Sequence, residues 1–114
     1  MIRGIGTDII EILRIGKAIR DPKFLRKVFT EKERDEQEAR GNKVESYAAL
    51  FAAKEAIVKA MGTGFRGIEF TDIEIFHDDW GKPWVYLHGI RQDDWSLSLS
   101  HCKAYAVAMA IWEE

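Results

Sequence analysis

Small residues recur at two matched periods in this chain, and they constrain its fold more than any other feature. Over residues 43–61 they fall at Ala48, Ala52, Ala56 and Ala60, along one side of a helix. Over residues 104–112 they alternate with larger apolar residues. Ala104, Ala106, Ala108 and Ala110 take one face of a strand, and Tyr105, Val107, Met109 and Ile111 take the other. Alanine faces allow close packing, so the long helix is expected to lie against the alanine face of the last strand. Gly4 and Gly6, in a first strand over residues 2–8, allow the same close approach of backbones.

Local signals place the remaining elements. Residues 10–20 fit a helix with Ile12, Ile15 and Ile19 on one side. Asp21 before Pro22 reads as an N-cap with proline at the first helical position, and Thr30 with Glu33 as a capping box. Gly41 is expected to close that helix, and Gly62 the long one. Alternation predicts strands over residues 68–76, 84–87 and 95–100, with a turn in Asp78-Asp79-Trp80-Gly81-Lys82-Pro83. The class is α+β: an antiparallel sheet packed against a long helix, with shorter N-terminal helices, in one domain over residues 1–114.

Charge is unevenly spread. Residues 1–29 hold seven basic and three acidic side chains, a balance of +4, while the rest holds ten and sixteen, a balance of −6. The net charge of −2 argues against a general nucleic-acid binder. A basic N-terminal segment on an acidic body suits the steering of an anionic partner. Cys102 is the only cysteine, which excludes an internal disulfide and makes the cytoplasm the expected compartment. No apolar run approaches the roughly 20 residues of a membrane span, so no membrane partner is expected.

The chemistry concentrates around two carboxylates. Asp8 closes the first strand, where it is either a cap for the following helix or a ligand. Glu55 and Lys59 are i,i+4 neighbours on the long helix, either a surface ion pair or part of a site. Lys54 falls in the middle of the stripe made by Tyr47, Leu50, Phe51, Ile57, Val58 and Met61. Its amine either snorkels to water or meets an anion. The segment Gly62-Thr63-Gly64-Phe65-Arg66-Gly67 is either a helix-terminating turn or a phosphate cradle of free N–H groups, a hydroxyl and a guanidinium. Asp8 and Glu55 together offer hard oxygen ligands, which suit Mg2+. His77, His88, His101 and Cys102 lack the spacing of a zinc site. Trp80, Trp84, Trp95 and Trp112 read as core or subunit-contact residues rather than coenzyme stackers.

The opening G-I-G-T-D-I-I-E-I, the run F-A-A-K-E-A-I-V-K-A-M-G-T-G, the turn G-K-P and the segment S-L-S-H-C-K-A-Y-A-V-A follow one another in a characteristic order. In these segments the chain resembles the holo-acyl-carrier-protein synthases, the short bacterial-type 4′-phosphopantetheinyl transferases, over essentially its whole length. The resemblance implies transfer of the phosphopantetheine arm of coenzyme A to a serine of apo-acyl carrier protein, and a homotrimer with active sites between subunits. It implies Asp8 and Glu55 as magnesium ligands and Lys59 as the contact to the transferring phosphate. Gly62, Thr63 and Gly64 resemble the loop around the coenzyme's phosphates. Lys82, Pro83, Ser100 and His101 resemble positions at its adenosine and phosphate end, and Lys54 is counted with the coenzyme-facing residues. The family commonly has arginine where this chain has Leu50, and Arg66 and Lys103 are the bases considered as substitutes.

On the first helix Arg14, Lys17 and Arg20 lie opposite the isoleucines, with Leu13 among them. That surface is either a solvated cationic face or a docking site for an acidic amphipathic helix, the character of an acyl carrier protein. Two other classes fit parts of the sequence: a non-catalytic carrier-binding module, and a magnesium-dependent pyrophosphohydrolase in which water attacks.

Overall fold

The computed structural model describes residues 1–114. Strand β1 (Ile2–Glu11) leads into four helices, α1 (Ile12–Ala18), α2 (Pro22–Val28), α3 (Glu31–Ala39) and α4 (Val44–Met61). A 3₁₀ turn at Phe70–Asp72 precedes β2 (Ile73–His77), β3 (Pro83–Leu87), β4 (Ile90–Gln92), β5 (Trp95–His101) and β6 (Tyr105–Glu113). The strands form two antiparallel sheets, ordered β1-β6-β5 and β2-β3-β4. A single sheet was the sequence expectation, and the strand β4 was not foreseen. Period two marks each strand but carries no information about which sheet it joins.

The small residues act as expected. Ala52, Ala56, Ala106, Ala108 and Ala110 are all fully buried. The glycines of β1 bring the strand against the helix backbone itself. A Cβ at Gly4 would stand 1.9 Å from the Ala60 carbonyl oxygen, and one at Gly6 1.9 Å from that of Ala56. No side chain fits either place, so the glycines fix both the spacing and the register of β1 on α4.

Capping chemistry sets the helix ends. The Asp21 carboxylate accepts from the Lys23 N–H, with Pro22 at the first helical position. The Thr30 hydroxyl accepts from the Glu33 N–H, and the Glu33 carboxylate accepts from the Thr30 N–H. Gly62 ends α4 at φ 79°. Two boundaries differ from expectation. The strand β1 continues to Glu11, because Ile9, Ile10 and Glu11 go on pairing with Val107, Ala106 and Tyr105. The helix α1 is correspondingly short. Residues 69–72 turn instead of extending, because Asp72 accepts from the Glu69 N–H and starts the 3₁₀ turn.

Lys54 does not face a coenzyme. Its side chain is fully buried, and Nζ donates to Glu33 Oε1 and the Val28 carbonyl, both at 2.6 Å, and to the Phe70 carbonyl at 3.0 Å. Three acceptors use all three protons of an ammonium group. Glu33 is equally committed, since Oε1 also accepts from Thr30 and Oε2 accepts from the Ile75 N–H at 3.0 Å. Burial pushes the carboxyl up and the amine down, and each charge opposes the shift of the other. Full donor and acceptor occupancy makes this an ion pair. It ties α2, α3, α4, β2 and the 3₁₀ turn together.

Candidate active site

The register of β1 on α4 builds the site. With Gly4 on Ala60 and Gly6 on Ala56, the next inward position of the strand is Asp8, set towards the preceding turn of the helix. Glu55 lies on that turn. Lys59, one turn further on, reaches back across the junction. Its Nζ donates to Asp8 Oδ1 at 3.2 Å and to the Thr7 carbonyl at 3.0 Å. Lys59 therefore pairs with the strand and not with Glu55 within the helix. Asp8 is not a helix cap: it sits mid-strand, and the N-cap of α1 is Glu11, whose side chain makes no capping bond.

The two carboxylates share one environment. Partial burial raises the Glu55 pKa, the Asp8 charge raises it further, and Lys59 offsets part of the rise. The two like charges repel each other, and the Lys59 ammonium offsets part of that repulsion. No group of three or more His, Cys, Asp or Glu side chains forms anywhere in the chain. Two carboxylates match the ligand habits of magnesium, which fills its remaining positions with water and phosphate oxygens, and the set lacks the nitrogen and sulfur donors that zinc favours.

The loop after α4 follows Lys59 directly. Gly62, Gly64 and Gly67 have φ of 79°, 62° and 73°, values that side chains rarely tolerate, and nothing lies near their α-carbons. The Thr63 hydroxyl donates to the Gly64 carbonyl at 3.2 Å, leaving its lone pairs outward. Asp8, Glu55 and Lys59 thus meet where β1 crosses α4, and the loop 62–64 follows at the end of the same helix.

A second feature is a cavity of about 460 Å³ lined by Ser100 and His101 from the end of β5, Leu50 from α4, Arg40 after α3, and Asp78, Asp79 and Gly81 from the β2–β3 turn. Neither Lys82 nor Pro83 lines it; the Lys82 amine lies 4.3 Å over the Trp84 ring. Leu50 is buried, and the base beside it is Arg40, held 3.5 Å from Glu36. Arg66 is absent from the lining, and Lys103 lines a different groove. Nothing in the local sequence marked Arg40, because its position depends on how α3 packs against β2. His77 Nδ1 is buried without a hydrogen bond, 3.5 Å from the same Glu36.

On α1, Leu13 is 71 % exposed, and Arg14, Lys17 and Arg20 are also exposed. Leu13, Lys17 and Arg20 border a groove of about 740 Å³ completed by Val44, Lys103 and Tyr105. The outward face of β1-β6-β5 leaves Ile5, Ile9, Tyr105, Val107 and Met109 exposed. No helix is long and apolar enough to cross a membrane.

Known proteins share this fold and much of this sequence. The family model for the 4′-phosphopantetheinyl transferase superfamily matches residues 4–110. The chain is 48 % identical to a holo-[acyl-carrier-protein] synthase of Fusobacterium nucleatum, over 97 % of this chain and 98 % of that one. It is 50 % identical to the Clostridium tetani enzyme of the same name, over 99 % and 97 %. Among solved structures, the holo-(acyl-carrier-protein) synthase of Bacillus anthracis, in complex with CoA (3′,5′-ADP), superposes with a TM-score of 0.85 at 44 % identity, covering 100 % of this chain and 98 % of that one. The Neisseria meningitidis synthase superposes at 0.88 with 36 % identity and full coverage of both chains. With its glycine-seated carboxylate, its paired lysine and its glycine loop in one fold, this chain belongs to the holo-acyl-carrier-protein synthases of the 4′-phosphopantetheinyl transferase superfamily.

Proposed function

We propose that the chain transfers the 4′-phosphopantetheine group of coenzyme A to a serine of apo-acyl carrier protein. The observation that carries this reading is the Asp8–Lys59 contact at 3.2 Å beside Glu55, a carboxylate whose pKa is raised first by burial and then by the Asp8 charge. The serine oxygen bonds to the phosphorus on the pantetheine side of the pyrophosphate. The bond from that phosphorus to the bridging oxygen breaks, and adenosine 3′,5′-bisphosphate leaves with the electron pair. Asp8 and Glu55 would hold a magnesium ion, which when bound neutralises charge on the pyrophosphate. Lys59, with a side chain 54 % exposed, stabilises charge on the phosphoryl oxygens as it moves. The N–H groups of Thr63 and Gly64 orient the phosphates, while that of Gly62 is spent on the Lys59 carbonyl at the end of α4. The serine proton passes to the carboxylate pair, directly or through water.

The cavity under the β2–β3 turn receives the nucleotide end, with Ser100, His101 and Arg40 facing it. Arg40 supplies the guanidinium for which Leu50 offers none. Release of adenosine 3′,5′-bisphosphate that requires both magnesium and apo-carrier supports the transferase. Release with magnesium alone identifies a hydrolase.

The outward face of β1-β6-β5 is the surface for assembly. Ile5 lies opposite Ile111 and Ile9 opposite Val107, so the apolar positions form contiguous rows across the sheet. Such a patch marks an interface in a water-borne protein. Together with the family resemblance it supports a homotrimer. Light scattering is expected to give three times the 13.1 kDa chain mass. A fully active monomer at assay concentration overturns this assembly.

The α1 face with Leu13, Arg14, Lys17 and Arg20 is the docking surface for the acidic carrier. Arg14→Glu is expected to raise the KM for carrier several-fold, with a smaller effect at high salt and an unchanged KM for coenzyme A. Equal effects on both substrates, or no dependence on salt, contradict this placement. Such a reaction belongs to the cytoplasm, where both substrates reside.

A further inference from the structure

Trp80 does not lie in the core: it is 94 % exposed at the tip of the β2–β3 turn. The backbone beneath it is tightly fixed. The Gly81 N–H donates to the Asp78 carbonyl, and the Asp78 N–H to the Lys82 carbonyl, both at 2.9 Å. Asp78 Oδ1 accepts from the N–H groups of Trp80 and Lys82 at 2.9 Å, and Oδ2 accepts from the Trp84 indole at 3.0 Å. Gly81, at φ 84°, closes the turn. An ordered turn therefore holds a large aromatic ring in water, and its ring N–H has no protein partner. Nearby cations do not cover it, because Lys82 and Arg91 both stack on Trp84, at 4.3 Å and 3.9 Å.

The residues on either side of Trp80, Asp79 and Gly81, both line the cavity that holds Ser100 and His101. At about 460 Å³ it has the size of a small-molecule site. Its apolar lining is limited to Ala49, Leu50 and Leu99, aliphatic groups that offer no flat face to a planar heterocycle. The flat groups in the lining itself are the small imidazoles of His77 and His101 and the Arg40 guanidinium; the Trp80 indole, carried between two lining residues, is a larger aromatic face with no partner of its own.

We propose that Trp80 stacks on the adenine ring of coenzyme A and completes the nucleotide site from the solvent side. This rests on the transferase reading above and adds to it the residue that grips the base. Stacking of a base on an aromatic ring needs no matched hydrogen bonds and suits a ring held at the rim of a polar cavity. Arg40 and His101, which line the cavity, remain available to phosphate oxygens.

Equilibrium titration of the whole protein with adenosine 3′,5′-bisphosphate, followed by tryptophan emission, tests the assignment without requiring turnover. The wild-type protein is expected to show quenching that is absent in Trp80→Phe, while Trp80→Phe keeps its affinity, measured by calorimetry. Trp80→Ala is expected to bind the bisphosphate about tenfold more weakly, the loss of one base–aromatic stack. Its affinity for 4′-phosphopantetheine, which has no base, is expected to stay unchanged. An unaltered bisphosphate affinity in Trp80→Ala overturns the proposal. So does an equal loss towards 4′-phosphopantetheine, or a change confined to carrier affinity or oligomeric state. Failure of the wild-type protein to modify a carrier, with the titration results as expected, defeats the transferase reading and leaves the base-stacking role standing.

Discussion

Lys54→Met is expected to lower stability by about 3–5 kcal/mol, because it leaves the Glu33 carboxylate buried without its countercharge. The methionine fills most of the volume, so the loss comes from electrostatics and not from a cavity. The Val28 and Phe70 carbonyls lose their donor at the same time, since Lys54 Nζ serves both. Domains of this size hold only about 5–15 kcal/mol in total, so the variant approaches the edge of folding. In thermal unfolding the midpoint is expected to fall by at least roughly 12 °C, taking about 4 °C per kcal/mol. Removing the partner as well, in Glu33→Gln with Lys54→Met, is expected to recover part of the loss. A Lys54→Met protein with wild-type thermal stability contradicts the buried ion pair. A stable Lys54→Met protein with weakened coenzyme binding restores Lys54 to the ligand site.

Glu55→Gln is expected to reduce kcat at least about a hundredfold, the scale of losing a group that stabilises transition-state charge. Stability is expected to move the other way or not at all. The Glu55 carboxyl has a raised pKa in the folded protein, first from burial and then from the Asp8 charge. A raised folded-state pKa favours folding below the unfolded-state pKa, and that contribution is lost as pH rises through the raised value. At neutral pH the ionised Glu55 therefore weighs against the fold, and a neutral glutamine relieves it. The same shift sets the pH dependence of the wild-type protein. Activity at limiting magnesium is expected to fall on acidification at a higher pH than an ordinary glutamate would give. A Glu55→Gln variant that is both inactive and markedly less stable contradicts this, as does one with near-wild-type turnover. Asp8→Asn is expected to lose activity to a similar degree, and to free Lys59 from its partner on the strand.

The elements governed by local chemistry were legible in the sequence. The Asp21-Pro22 start, the Thr30/Glu33 capping box and the Gly62 stop each depend on residues within one turn, and each stands where the side chains require. The meeting of the long helix with the alanine face of β6 was legible too, because both small-residue periods are visible. The division into two sheets was not, since β2, β3 and β5 alternate alike and differ only in their partners. The fate of Lys54 was half legible. A helical wheel puts it inside the apolar stripe, but its countercharge lies 21 residues earlier, on a helix whose packing no periodicity reveals. Asp8, Glu55 and Lys59 were read from motif and residue type. The Asp8–Lys59 pairing follows from Gly4 and Gly6, which set the register. Arg40 escaped notice, and Trp80 was read as a core or subunit-contact residue, because the cavity beside them is formed by separate segments.

The central claim is that this site joins a phosphopantetheine arm to a carrier serine. Intact-protein mass spectrometry of apo-acyl carrier protein tests it most directly, after incubation with the chain, coenzyme A and magnesium. The account predicts a gain of one 4′-phosphopantetheine group on a single serine, matched by one equivalent of adenosine 3′,5′-bisphosphate and lost with Glu55→Gln. Coenzyme A consumed while the carrier mass stays unchanged would contradict it.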